Sequence, residues 1–136
     1  MSKGNTTEND VLALLFNATA LSWNANTNLY LALHTADPGE AGSQTTSETA
    51  YTSYARVAVA RTSGGWTVSS GTSTNAALIQ FPQCTGGTST ITHVSIGTAS
   101  SGAGQIIYSG ALNSSLSVSN LIQPQFSAGA LVVTED

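Results

Sequence analysis

Polar residues open the chain, and the first apolar run comes at Val11-Leu12-Ala13-Leu14-Leu15-Phe16. Side chains three and four residues apart share one side of a helix. Val11, Leu14, Leu15 and Ala18 therefore define a stripe, widened by Leu12 and Phe16, that predicts a helix over residues 6–20. Thr7 reads as its N-cap, with Asp10 completing a capping-box-like T-x-x-D pair. Glu8 and Asp10 also suit the positive end of the helix dipole. A helix of about 15 residues is marginal alone, so the stripe must pack on its own domain or dock on a neighbouring subunit. Periodicity leaves both open.

At residue 29 the period changes to two. Leu29, Leu31 and Leu33 alternate with Tyr30, Ala32 and His34, which predicts a half-buried strand over 29–35. Asp37-Pro38-Gly39 is turn chemistry. The polar segment 36–53 is longer than most connections, which marks it for function or disorder. Short alternating runs follow at 54–62, 66–69, 76–81, 90–97, 105–112, 115–119 and 130–134, separated by Gly- and Ser-rich turns. In 54–62, Ala55, Val57 and Val59 oppose Arg56, Ala58 and Ala60; in 90–97, Val94 and Ile96 oppose Ile91 and His93. One helix followed by strands alone argues for an antiparallel sandwich or barrel rather than a βαβ fold. The reading is all-β: a jelly-roll-like antiparallel β-sandwich of about eight strands with one N-terminal α-helix. Residues 1–28 form an arm carrying helix 6–20, and residues 29–136 form a single β-sandwich domain.

Charge sharpens this picture. Only 7 % of the 136 residues are charged, against about 25 % in ordinary soluble domains. Three cations (Lys3, Arg56, Arg61) against seven acids give a net charge of −4, and residues 62–134 hold no Asp, Glu, Lys or Arg. Nineteen serines and nineteen threonines supply the surface polarity instead. Three cations cannot neutralise many phosphates, so no nucleic-acid partner is expected. No apolar run reaches the roughly 18–20 residues of a membrane span, and the N-terminus lacks a secretory pattern. The lone Cys84 excludes an internal disulfide and a multi-cysteine metal site, and points to synthesis in a reducing cytoplasm. An uncharged stretch of this length suits a surface covered by other subunits, or equally a plain hydroxyl-coated sheet.

Candidate chemistry is sparse. His34-x-x-Asp37-x-x-Glu40 groups residue types that ligate metals, but Pro38 and Gly39 prevent one helix face from presenting them. The alternative is a strand-terminal histidine before a solvated acidic turn. His93 could pair with a serine as nucleophile and base, yet serine is everywhere and no G-x-S-x-G elbow exists. The Gly-rich turns at 63–65 and 102–104 open no helix, so they read as hairpin turns rather than phosphate loops. Cys84 has no nearby base to activate it. Trp23, Tyr30, Tyr51, Tyr54, Trp66 and Tyr108 could line a sugar platform, though their spread fits core and interface anchors better. No enzyme activity, cofactor or metal is expected.

The runs LYLALHTADPGEAGSQTTSE (29–48), YTSYARVAVART (51–62), GWTV (65–68), HVSIGTASSGAGQIIYSGAL (93–112) and VVTED (132–136) resemble a family of small tailed-bacteriophage virion proteins. The resemblance covers nearly the whole chain and lies in overall sequence, not in a catalytic motif. Relatives often carry a loose tail-fibre label, and some resemble jelly-roll capsid cement (decoration) proteins. The resemblance implies a structural virion protein on the capsid exterior, made in the host bacterial cytoplasm. Its implied partners are the major capsid protein, whose subunit contacts it would stabilise, and further copies of itself as a dimer or trimer; no nucleic acid and no membrane are involved. A tail or tail-fibre component is the alternative, and a carbohydrate-binding module a third reading. The expected contact surface combines Val11, Leu14 and Leu15 of the helix with Asp37, Glu40 and Tyr51 of the long loop and with Trp66.

Overall fold

The computed structural model describes residues 1–135. Its elements, in chain order, are β1 (Ser2–Lys3), α1 (Asn5–Asn17), β2 (Asn28–His34), β3 (Val57–Ala60), β4 (Trp66–Ser69), β5 (Thr72–Asn75), β6 (Ile79–Gln80), β7 (Ser89–Gly97), β8 (Ile106–Val118), β9 (Gln125–Phe126) and β10 (Val132–Thr134). A five-stranded sheet runs β1-β8-β7-β2-β3, a three-stranded sheet runs β10-β5-β4, and β6 pairs with β9. Every pairing is antiparallel. The chain is thus an all-β sandwich with one N-terminal helix, built from ten strands among the described residues.

The alternation in β2 builds the core. Leu31 faces Ile96 and Leu33 faces Val94 across the β2–β7 ladder. These four pack with Trp66, Ile79, Phe81, Leu131 and Val133 from the opposite side. Phe81 is wholly buried and lies between Tyr54, which it stacks on, and Phe126, which it meets edge-on.

Several expectations are corrected. β2 is not half-buried: Ala32 and His34, on its second face, are as buried as the leucines. The 36–53 segment folds over that face without forming a strand of its own. Gln44 anchors it, donating to the Tyr30 carbonyl and accepting from the Ala99 amide. Ile91 lies in the core with Val94 and Ile96 rather than beside His93, because a bulge between Ile91 and His93 resets the alternation. The runs 105–112 and 115–119 belong to one strand, β8. Its residues 112–115 form a wide bulge opposite Thr92, since Ala111 pairs with His93 and Leu116 with Ile91. The predicted strands 54–62, 76–81 and 130–134 shrink to β3, β6 and β10. Strand β5 had no apolar signal in Thr72-Ser73-Thr74-Asn75; a two-residue turn creates it, with Ser70 and Gly71 both at positive φ, the backbone that tight hairpins require.

The helix spans Asn5–Asn17 rather than 6–20, and Gly4, not Thr7, occupies its N-cap. Thr7 is buried, and its hydroxyl donates to the Ile106 carbonyl. Asp10 closes no capping box; it accepts from the Gln105 amide. Within the segment read as an arm, β1 joins the five-stranded sheet beside β8.

Candidate interaction surface

Helix α1 touches the sandwich through its first two turns. Gly4 donates its amide to the Ile107 carbonyl and Asn5 to the Glu40 carbonyl, while Gln105 reaches both Thr7 and Asp10. Among the described residues, no side-chain hydrogen bond ties residues 11–17 to the rest. Thr7 is the one helical residue that is buried. Leu12, Leu14, Leu15 and Phe16 are 55, 44, 69 and 79 % exposed. Such exposure is foreign to an amphipathic helix lying on its own core, whose apolar stripe faces inward. The most exposed residues, Leu12, Leu15 and Phe16, are spaced i, i+3, i+4 and share one face.

A second apolar surface lies between the sheets. A cleft of about 490 Å³ is lined by Leu29, Ile96 and Tyr108 from one sheet and by Trp66, Val68 and Val133 from the other. Arg61 is the charged residue on its lining. It donates to the carbonyls of Asn24 and Asn26 and lies over the Trp23 ring. Lys3, Tyr108 and Glu135 form a cluster beside the cleft. The Lys3 ammonium and the Tyr108 hydroxyl both donate to the Glu135 carboxylate, and Lys3, then Tyr108, hold that exposed carboxyl below the usual carboxylate range. Burial, and then the Glu135 carboxylate, push the Tyr108 phenol up.

The seven residues expected at the contact surface do not meet in one place. Val11 is half-buried, while Leu14 and Leu15 lie exposed on the helix. Asp37 and Glu40 are exposed on the loop: Asp37 accepts from the Gly39 amide, and Glu40 bonds Ser2. Tyr51 and Trp66 belong to the core. Tyr51 donates to the Pro82 carbonyl, and burial pushes its phenol up to about 12. Phe16, the most exposed of the helix's apolar residues, and Leu12, more exposed than Leu14, were left out of the contact set. The signal was present: six apolar residues in succession on one helix cannot all share a buried stripe. The aromatic residues form no shared platform, since Tyr51, Tyr54 and Phe81 pack together inside.

Of the candidate reactive groups, His34 and Cys84 are buried, His93 is half-buried, and Asp37 and Glu40 are exposed. His34, Asp37 and Glu40 do not converge, and no group of three or more His, Cys, Asp or Glu is placed to hold a metal among the described residues. His34 is wholly buried, with Nδ1 at 2.8 Å from the Thr46 carbonyl and Nε2 at 2.8 Å from Ser95 Oγ. Burial pushes its imidazole below the ordinary histidine value. This serine–histidine pair has no solvent access, because Ser95 is also 0 % exposed. His93 instead bonds the neighbouring Thr92 hydroxyl. Cys84 is buried, with its thiol 3.1 Å from the Gly86 carbonyl. Nearby, Arg56 grips Glu48 through two 2.8 Å hydrogen bonds and donates to the carbonyls of Ala99 and Gly102.

The family model described as podophage GP4 fiber I protein gp80 matches residues 2–134. The chain belongs to this family. It is accordingly a structural protein of a tailed-phage virion. No curated protein matches the chain. No helix among the described residues is long and apolar enough to cross a membrane.

Proposed function

We propose that this chain is a non-enzymatic component of the phage fibre apparatus, holding its place by apolar contact. The fiber I description of its family supports the location. The single observation that carries the contact role is the bare apolar helix. Its four exposed side chains together amount to about two and a half fully exposed residues, so covering them is worth ~4–7 kcal/mol at the usual value per apolar side chain. That is as large as the stability of many whole domains. His34, Ser95 and Cys84 are buried, and His93, Asp37 and Glu40 are engaged in hydrogen bonds.

The capsid-cement reading, with the major capsid protein as partner, shares this chemistry. The uncharged stretch 62–134 favours it, because interface cores are depleted in charge. Location and copy number separate the two. Cryo-electron microscopy of virions, with quantitative mass spectrometry, should show few copies confined to the tail. Hundreds of copies spread over the head would overturn the fibre reading in favour of cement. Absence from purified virions would overturn both. Because the contact is apolar, a salt wash should release little protein.

A further inference from the structure

Arginine grips a carboxylate along a guanidinium edge, where two parallel donors meet two oxygens. This chain uses the Nε–Nη2 edge once: Arg56 donates from Nε and Nη2 to the two Glu48 oxygens. Arg61 presents the same edge, and no carboxylate of the described residues takes it. Its hydrogen bonds leave from Nη1, to the Asn24 and Asn26 carbonyls at 3.1 and 3.0 Å and to the Trp23 carbonyl at 3.5 Å. One face of the guanidinium lies 5.0 Å from the Trp23 ring centroid. The group is thus fixed by one nitrogen and one face, and its Nε–Nη2 edge is free. Among the described residues, the buried side-chain donors without a partner are the indole N–H groups of Trp23 and Trp66, so solvent reaches the free Arg61 edge. Both tryptophans belong to this place: Trp23 lies against the guanidinium, and Trp66 stands with Arg61 on the cleft lining. Buried donors without acceptors are rare, and two side by side mark a local shortage of acceptor oxygen.

We propose that the inter-sheet cleft binds a medium-chain fatty acid, its carboxylate on Nε and Nη2 of Arg61 and its alkyl chain along Trp66, Val68 and Tyr108. The cleft's volume of about 490 Å³ falls in the ~300–1,000 Å³ range of small-molecule sites, which combine apolar walls with a few orienting polar groups. Its exposed lining is too small for a protein interface. Val68 is 76 % exposed and Leu29 and Tyr108 are half-buried, so an alkyl chain laid here covers apolar surface that the fold leaves wet. The charges agree. Arg61 is the charged residue on the lining, residues 62–134 hold no acid, and the neighbouring Glu135 is paired with Lys3. No residue of helix α1 lines the cleft, so failure of this proposal leaves the contact role of the helix untouched.

The test is isothermal titration of the full-length chain with decanoate below its micellar range, followed in parallel by tryptophan fluorescence. One site per chain should saturate. Octanoate should bind more weakly by about fourfold for each methylene removed. Decanol and decyltrimethylammonium, which share the chain and lack the anion, should bind at least tenfold more weakly than decanoate. Arg61→Gln should weaken decanoate more than tenfold and leave decanol unchanged. Val68→Trp, at an exposed position, should fill the cleft and abolish binding of both with unchanged far-UV circular dichroism. Absence of saturable decanoate binding to the wild type would overturn the proposal. So would equal binding of decanoate and decanol, or equal losses of the two in Arg61→Gln. Decanoate binding that survives Val68→Trp would also overturn it, since the ligand would then sit elsewhere, as on the bare helix.

Discussion

Replacing Arg56 with methionine tests how the 36–53 segment is held on the sheet. The Arg56 side chain is 3 % exposed and that of its partner Glu48 16 %. The guanidinium binds both Glu48 oxygens at 2.8 Å, the Ala99 carbonyl at 2.9 Å and the Gly102 carbonyl at 2.6 Å. Arg56→Met would leave the Glu48 carboxylate with the Tyr54 hydroxyl at 2.9 Å and strip the guanidinium from two carbonyls. Breaking one side of a buried ion pair costs about 3–5 kcal/mol. With a urea m-value near 2 kcal/mol/M, the unfolding midpoint should fall by about 2 M. The cost lies in the orphaned charge, so it should be reversible. A double variant, Glu48→Leu with Arg56→Met, removes both charges and should recover more than half of the loss. Urea unfolding of wild type, both single variants and the double variant closes the cycle. A loss below about 1 kcal/mol for Arg56→Met would refute the reasoning, because that is the worth of a solvent-screened surface pair.

Two further outcomes follow from the same face of the sheet. His34 stays neutral in the fold because burial lowers its pKa, so below about pH 6.5 the unfolded chain takes up the proton first. Its contribution is therefore fully present above that pH and falls away on acidification; calorimetry from pH 7.5 to 5.5 should show a dropping Tm, and His34→Gln should flatten that slope. Gly97→Ala would place a Cβ 2.2 Å from the Gln44 side chain, which is wholly buried. Overpacking of this kind costs about 1–3 kcal/mol, and chemical denaturation of Gly97→Ala, Gln44→Ala and the pair should show non-additive losses.

How much was legible can be judged from particular residues. Leu29, Leu31 and Leu33 announced an inward face, and β2 supplies it. Nothing local announced that Ala32 and His34 would be equally dry, because the cover comes from Gln44, twelve residues further along the chain from Ala32. The bulge at Ile91 and His93 was hidden for the same reason: a shift in register is a property of two strands. Strand β5 was silent, since its hydroxyl side chains carry no apolar alternation and its pairing is imposed by the Ser70-Gly71 turn. The contact surface was half legible. Leu14 and Leu15 of the expected set are exposed, whereas Tyr51 and Trp66 pack in the core, with Trp66 also lining the cleft.

The sequence by itself determined the class of fold: one helix and a succession of short alternating strands, on a chain poor in charge. These follow from local periodicity and composition, which a linear chain states outright. Only the tertiary structure decided which apolar residues stay in water. Leu33 and Leu15 are the same residue type, yet one is 1 % exposed and the other 69 %. Hydrophobicity is a property of the side chain, whereas burial depends on what the rest of the chain brings against it.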